Sequence, residues 1–472
     1  MRRSVALLSL ALCAAGAVGV ASPAFAEAPA DSAYPRAVAA GYKALTLCSA
    51  MFDGGRTQEQ AEALELDGIY PEYNALVKEL VAETDQDSAT VTVGYSAAVP
   101  PRSASWRKGQ GCMLRPIGWA LPKDATPPRA KFVSPLEPLE TDAAPWPQGD
   151  ADALLKQAPK TLAPVAAKAF VADAYGKDTR TTAVVVVSGG KIAAEQYAEG
   201  FTLHTAQRTW SVAKSLTATL IGAVAQQGWI RIDNYANIPE WESAVLDPRR
   251  NITVDHLLRM SSGLYTPDPG SRTDALYFGG AAVHELATSW PVEVAPGAHF
   301  RYSNTDTLLA VRAVRASAPS EAEFQAWPGQ FFAALGMTRT TAERDWRGNF
   351  MLSSQVWSTA RDLARFGLLY LNQGQANGQR LLPVDWDKDA AKAFGPQPEG
   401  PFGYGLSFWL LNRSPGIPED TFAAFGNRGQ YVVIVPSRQV VIVRRAEDVA
   451  GSSFDIARFT ADVLAALPAK KK

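Results

Sequence analysis

Apolar positions along the chain change their period several times, and each change predicts an element. A continuous apolar run spans 5–20. Between 33 and 99, helix-like stretches (58–66 and 72–83) are followed by the β-like alternation Thr90-Val91-Thr92-Val93. Prolines crowd 100–147, which predicts extended chain with little regular structure, a connector over the surface. After a helix over 151–175, the run 183–187 reads as a buried strand, turning at Ser188-Gly189-Gly190 into a second strand over 192–197. A helix opens at Ser211 and carries Leu216, Leu220, Ile221 and Val224 towards Gly228. Helical periods then recur over 253–260, 283–289, 304–315, from Trp327 to Leu335, and 358–371. Strand-like runs return at 404–411, 421–425, 431–436 and 440–445, before Phe454, Ile456, Phe459, Val463 and Leu467 mark a last helix.

Strands at both ends of a helical middle predict an α/β fold of the α+β type. One antiparallel sheet is assembled from remote parts of the chain, flanked by terminal helices, with an inserted helical subdomain. The expected organisation is a leader (1–26), an N-terminal extension with its own small core and a Pro-rich connector (27–150), and a main domain (151–468). No internal repeat at a solenoid period is visible.

Arg2 and Arg3, the apolar run, and Ala24-Phe25-Ala26 before Glu27 form the pattern of a cleaved signal peptide, so the expected location is periplasmic or secreted. Ser9, Gly16 and Gly19 interrupt the run, which argues against a lasting membrane anchor. Cys13 follows Leu12 rather than a small residue, which argues against a lipoprotein anchor. Export changes the reading of the two remaining cysteines: Cys48 and Cys112 are expected to bridge, closing a loop worth about 4 kcal/mol. With 47% hydrophobic residues, 20% charged residues and a net charge of −1, the chain suits a soluble globular protein and gives no reason to expect nucleic acid as partner. No metal or cofactor is expected, since His284-Glu285 lacks the second histidine of a zinc-protease helix.

The candidate chemistry lies at the Ser211 helix. A spacing of three puts the Ser211 hydroxyl and the Lys214 amine on one helical face. Burial of that lysine disfavours its ammonium form and makes it a base for the serine. The same Ser-x-x-Lys spacing occurs at Ser105/Lys108 and Ser188/Lys191, but there it falls in a Pro/Gly-rich segment and a Gly-Gly turn. Tyr302-Ser303-Asn304, on a turn ahead of an apolar helix, supplies a proton shuttle and an amide for the lysine and the substrate. Tyr235-Ala236-Asn237 has the same spacing but directly follows the Ser211 helix. For a developing oxyanion, the backbone amides of Ser211 and Gln430 are the expected donors, with Gly429 letting substrate approach the strand that follows. Ser261 is explained by a helix end before Gly263. Trp210, Trp229, Trp241, Trp290 and Trp409 are candidates for cleft walls, with core packing the commoner use of such residues.

In their order, Ser211-x-x-Lys214, Tyr302-x-Asn304 and a Gly-containing strand near the C-terminus resemble the serine hydrolases that include class C β-lactamases, D-alanyl peptidases and esterases. The runs 208–230, 252–264, 296–309 and 353–383 resemble the 6-aminohexanoate-dimer hydrolase-like branch, and the Cys48 and Gly111-Cys112 region resembles that branch's N-terminal extension. The resemblance implies a β-lactamase/transpeptidase-like fold and an acyl-enzyme mechanism: Ser211 as nucleophile, Lys214 as base, Tyr302 as proton shuttle and Asn304 holding substrate. One departure stands out. Where the third motif usually begins with Lys or His, then Thr or Ser, then Gly, this chain has Asn427-Arg428-Gly429. These three residues are expected to line the substrate site, with Arg428 compensating for the missing cation if its side chain faces the cleft. The expected substrate is therefore a small-molecule amide or ester. A D-Ala-type peptidase, a β-lactamase and a non-catalytic penicillin-binding or sensor-like protein are the alternatives.

Overall fold

A computed structural model describes residues 32–122, 129–130, 132–243, 245–266 and 272–468. The leader expected over 1–26 and the Lys470-Lys471-Lys472 tail lie outside the described residues.

The central sheet runs Gly403–Tyr404, Trp409–Leu410, Phe422–Gly426, Gln430–Val435, Val440–Ala446, Thr181–Ser188, Lys191–Tyr197, every neighbouring pair antiparallel. The strand of the first hairpin thus pairs with the last strand of the domain, Val186 opposite Ile442. A period of two sorts the valines: Val184, Val186, Val433 and Ile442 enter one apolar cluster, Val185, Val187, Val432 and Val443 the other. Because both faces are covered, these strands read as unbroken apolar runs. Leu162–Lys168 and Ile456–Ala466 cover one face through Leu162, Phe459 and Val463. The helices Val212–Gln226 and Ala360–Leu371 cover the other, and the helical insertion, which includes Asn304–Ser317 and Glu321–Ala334, lies beyond them in the chain's larger core.

Three expectations change. Within the Pro-rich connector, Arg102–Arg107 and Gly111–Leu114 are strands, which with Ala82–Asp85 and Thr90–Val93 make a four-stranded sheet. The prolines flank these strands rather than occupying them, so the ladder keeps its donors. The expected helix over 151–175 shrinks to Leu162–Lys168. The extension also has no core of its own: its helix Tyr34–Phe52 is buried along nearly its whole length and shares one apolar cluster with the main domain. Cys48 on that helix bridges Cys112 on the sheet, with Cα atoms 6.1 Å apart.

Candidate active site

Ser211 is the N-cap of the helix Val212–Gln226, placed there by a turn whose preceding residue, Trp210, holds a left-handed φ of 50°. The Arg208 guanidinium lies 3.8 Å from the Trp210 ring centroid and Arg208 Nε donates to Ser354 O at 3.2 Å, which helps hold this uncommon backbone. The hydroxyl therefore stands at a helix N-terminus, where the backbone dipoles favour developing negative charge.

One helical turn on, Lys214 is only 1% exposed. Its Nζ lies 3.1 Å from Ser211 Oγ, 2.5 Å from Asn304 Oδ1 and 3.1 Å from the Ser353 carbonyl oxygen. Burial pulls the amine down to about 7, opposed by the Asp306 carboxyl. A neutral amine has two N–H donors and one lone pair. Asn304 Oδ1 and Ser353 O accept the two donors, so the lone pair faces the Ser211 hydroxyl, the arrangement a base requires. Asn304 is oriented for this by its own amide nitrogen, which donates to Arg272 O at 2.6 Å.

Tyr302 completes this wall, with Lys214 Nζ 4.9 Å from its ring centroid. Burial pushes the phenol well up, the Ser211 hydroxyl opposing, so Tyr302 carries its proton at neutral pH and can pass it on. Its ring packs against Trp409 at 5.5 Å and Tyr404 at 6.0 Å, and Trp409 stacks on Phe425 at 5.6 Å. Of the tryptophans considered, Trp409 thus lies beside the site, whereas Trp241 is buried core whose Nε1 donates to Thr288 O.

The third segment departs from expectation at Arg428, Gly429 and Gln430. Gly426, at the end of the Phe422–Gly426 strand, borders the nucleophile: a Cβ there would stand 3.2 Å from the Ser211 amide nitrogen and 2.4 Å from Thr209 O. Gln430 begins the next strand inward and is wholly buried, its side chain donating to Ala446 O and accepting from Arg445 Nε. The Gly426 backbone thus lies against Ser211, on the strand that flanks the Gln430 strand on its outer side. Arg428, with φ 57°, turns its side chain away from the cleft. Its guanidinium pairs with Glu447 at 3.0 Å and donates to the carbonyls of Leu64, Asp67 and Gly68 in the extension. Arg428 is thus an anchor for the extension and not a substitute cation. Gly429 is a glycine because a Cβ would sit 2.1 Å from the Arg444 guanidinium, beside its ion pair with Asp448, not because substrate must approach. Asn427 is half-buried and accepts from the Arg428 amide at 2.9 Å.

The competing motifs separate cleanly. Ser105 lies on a strand and its Oγ bonds Thr90 at 3.1 Å; Ser188 and Lys191 face each other across the hairpin turn; Tyr235 is exposed. Ser261 Oγ donates to His256 O, a helix-end role. Sequence reading missed Ser353, Gly426 and Arg272, because each acts through backbone, which leaves no residue-type signal. It also missed Asp306, 3% exposed, whose carboxyl accepts from Ser262 at 2.8 Å and is pushed up by burial to about 7.

Comparison with known proteins bears on the family and the fold. The Beta-lactamase family model matches residues 166–467. The 6-aminohexanoate-dimer hydrolase of Paenarthrobacter ureafaciens is 27% identical over 299 residues, covering 57% of this chain and 73% of that protein. Among solved structures, a Bacillus anthracis protein assigned to the 6-aminohexanoate-dimer hydrolases superposes with a TM-score of 0.50 at 23% identity, covering 61% of this chain and 79% of its own. An octameric penicillin-binding protein homologue from Pyrococcus abyssi also superposes at 0.50, with 17% identity over 61% of this chain and 74% of that one. These two superpositions bear on the fold alone. Since the family match spans well over half of the chain, including Ser211, Lys214 and Tyr302, this protein belongs to the beta-lactamase family and is a serine hydrolase.

Proposed function

We propose that the chain is an exported hydrolase that cleaves a small-molecule amide or ester through an acyl-enzyme on Ser211. The observation that carries this is the buried Lys214 amine, whose contacts leave its lone pair to the Ser211 hydroxyl. In this reading Lys214 takes the hydroxyl proton as Oγ attacks the substrate carbonyl. The oxyanion forms between the Ser211 amide and the backbone entering Asn427. The proton reaches the leaving group through Tyr302, and water then releases the acyl group by the reverse relay.

The substrate reading rests on Arg428. Its donors are spent on Glu447 and three backbone carbonyls, so the third motif offers no cation to a substrate carboxylate. Penicillins and D-Ala-D-Ala ends are therefore disfavoured, and an acyl group that can lie against the Tyr302–Trp409–Phe425 wall is favoured. The related 6-aminohexanoate-dimer hydrolase supports a linear amide as one class to assay. Export rests on the leader pattern over 1–26 and is tested by N-terminal sequencing of the mature protein; a chain that begins at Met1 removes it. Short aryl esters, linear amides and a chromogenic β-lactam, assayed with wild type and Ser211→Ala, test the chemistry. Ser211-dependent turnover of the uncharged substrates is expected. Stoichiometric acylation without turnover would instead indicate a sensor-like protein.

A further inference from the structure

Two buried carboxyl groups meet where the N-terminal extension joins the main domain. Asp53 caps the C-terminus of Tyr34–Phe52, and Glu343, wholly buried, follows the strand Thr341–Ala342. Their carboxylate oxygens lie within 4.8 Å of each other. Cys112 is equally close, but its sulfur is spent in the disulfide, so the donor set is no metal site.

The hydrogen bonds show which oxygen of the pair still lacks a donor. Glu343 Oε1 accepts from Ser49 Oγ at 2.6 Å and from the Cys112 amide at 2.9 Å, and Oε2 accepts from Gln355 Nε2 at 2.6 Å. Asp53 Oδ1 accepts from Trp106 Nε1 at 2.9 Å, but its Oδ2 is buried with no partner among the described residues. An acceptor facing another acid's acceptors is satisfied when one proton lies between them. The groups that face the pair are Ser49 from the helix, Trp106 and Cys112 from the extension sheet, and Gln355 from the main domain. None of them titrates, and among the described residues no cation acts on either carboxyl. Burial raises both acids above the ordinary carboxylate range, Asp53 to about 6.

Glu343 also organises the segment that holds the catalytic lysine. Its amide donates to Gln355 O at 3.1 Å, its carbonyl accepts from the Met351 amide at 2.9 Å, and the Gln355 amide closes the turn onto Met351 O at 2.9 Å. Within that turn the Leu352 carbonyl accepts from Thr217 Oγ1 at 2.8 Å and the Ser353 carbonyl accepts from Lys214 Nζ, both on the catalytic helix.

We propose that Glu343, held by a shared proton against Asp53 of the N-terminal extension, is a positioning residue for Lys214, acting through Gln355 and the Ser353 carbonyl. Removing the proton leaves two facing carboxylates, which repel, spread the junction and misplace the carbonyl behind the base. The proposal rests on Lys214 being the base for Ser211.

The test is the rate at which a fluorophosphonate probe labels Ser211 in the full chain between about pH 5 and about pH 10. Wild type should rise through about 7 as Lys214 loses its proton and fall again on the alkaline side as Glu343, the acid raised further of the two, gives up the shared proton. Asp53→Asn places an N–H where the shared proton was, so it should keep the acid-side rise at the same midpoint and lose the alkaline fall. Glu343→Gln puts a donor among donors and should label up to about 100-fold more slowly, the scale of a misplaced catalytic group. If Glu343→Gln does not fold, Asp53→Asn decides alone. An Asp53→Asn profile that superimposes on wild type, or a wild-type profile with no alkaline fall, overturns the proposal while leaving the serine-hydrolase reading intact. Absence of any Ser211 labelling in wild type overturns both.

Discussion

The two walls beside Ser211 are built on opposite principles. On one, side chains face Ser211: Lys214, Asn304 and Tyr302 converge at hydrogen-bonding or van der Waals range. On the other, the residues that border the nucleophile offer backbone, and the most prominent side chain, Arg428, points away into the N-terminal extension. The first wall is arranged for proton transfer, the second for anchoring a turn. A charged residue inside a family motif therefore need not face substrate: Arg428 becomes structural once the extension supplies the carbonyls of Leu64, Asp67 and Gly68.

The two walls differ in what disrupting them should cost. Ser211→Ala and Lys214→Ala should each cost several orders of magnitude in turnover, on the order of 10⁴-fold or more, because nucleophile and base act as a unit. Near-normal esterase activity in Lys214→Ala would place the base elsewhere. Tyr302→Phe should be next, roughly 10²- to 10⁴-fold in kcat with KM little changed, since a proton shuttle acts in the transition state.

On the other wall the expected effect is on stability before activity. Arg428→Met leaves Glu447, whose side chain is only 3% exposed, without its guanidinium, and should destabilise by about 3–5 kcal/mol in chemical denaturation. A loss confined to activity, at wild-type stability, would return Arg428 to the cleft. Reduction of the Cys48–Cys112 bridge opens a loop of 64 residues and should cost about 4 kcal/mol by the same measurement. Smallest of all, Asn427→Lys should improve KM for carboxylate-bearing substrates by no more than about tenfold, because a surface-facing ion pair contributes little.

The pH dependence separates the walls in another way. A lowered lysine pKa makes the base available above about 7, so kcat should rise with pH through that value. The Asp53 carboxyl is shifted oppositely. Its pKa is raised from 3.8 to about 6, so its contribution to stability is full below the ordinary carboxylate range and is lost as pH rises through about 6. Thermal melts of wild type against Asp53→Asn should therefore diverge in favour of the variant as pH rises. Parallel curves would remove the buried pair from the stability of the junction.

How much was legible depended on whether the information was local. The valine run over 183–187 and the strands near 431–445 were readable because a doubly covered sheet demands unbroken apolar sequence. Ser211 and Lys214 were readable because a helix fixes their relation within one turn. The strands within 102–114 were obscured by neighbouring prolines that turned out to flank them. The backbone roles of Gly426 and Ser353 left no trace in residue type, and Gly429 was misread because the atoms it makes room for, on Arg444 and Asp448, come from a different strand and loop.

Short-range spacing, apolar period and family motifs were enough to pick out Ser211, Lys214 and Tyr302 as the candidates for nucleophile, base and proton shuttle, together with the antiparallel sheet that carries them. Only the tertiary structure decided that Lys214 is buried enough to titrate near 7, that Gly426 lies against Ser211, and that Arg428 belongs to the extension. The reason is physical: burial, orphaned acceptors and the direction of a guanidinium depend on which distant segments fold against a residue, and no periodicity along the chain records that.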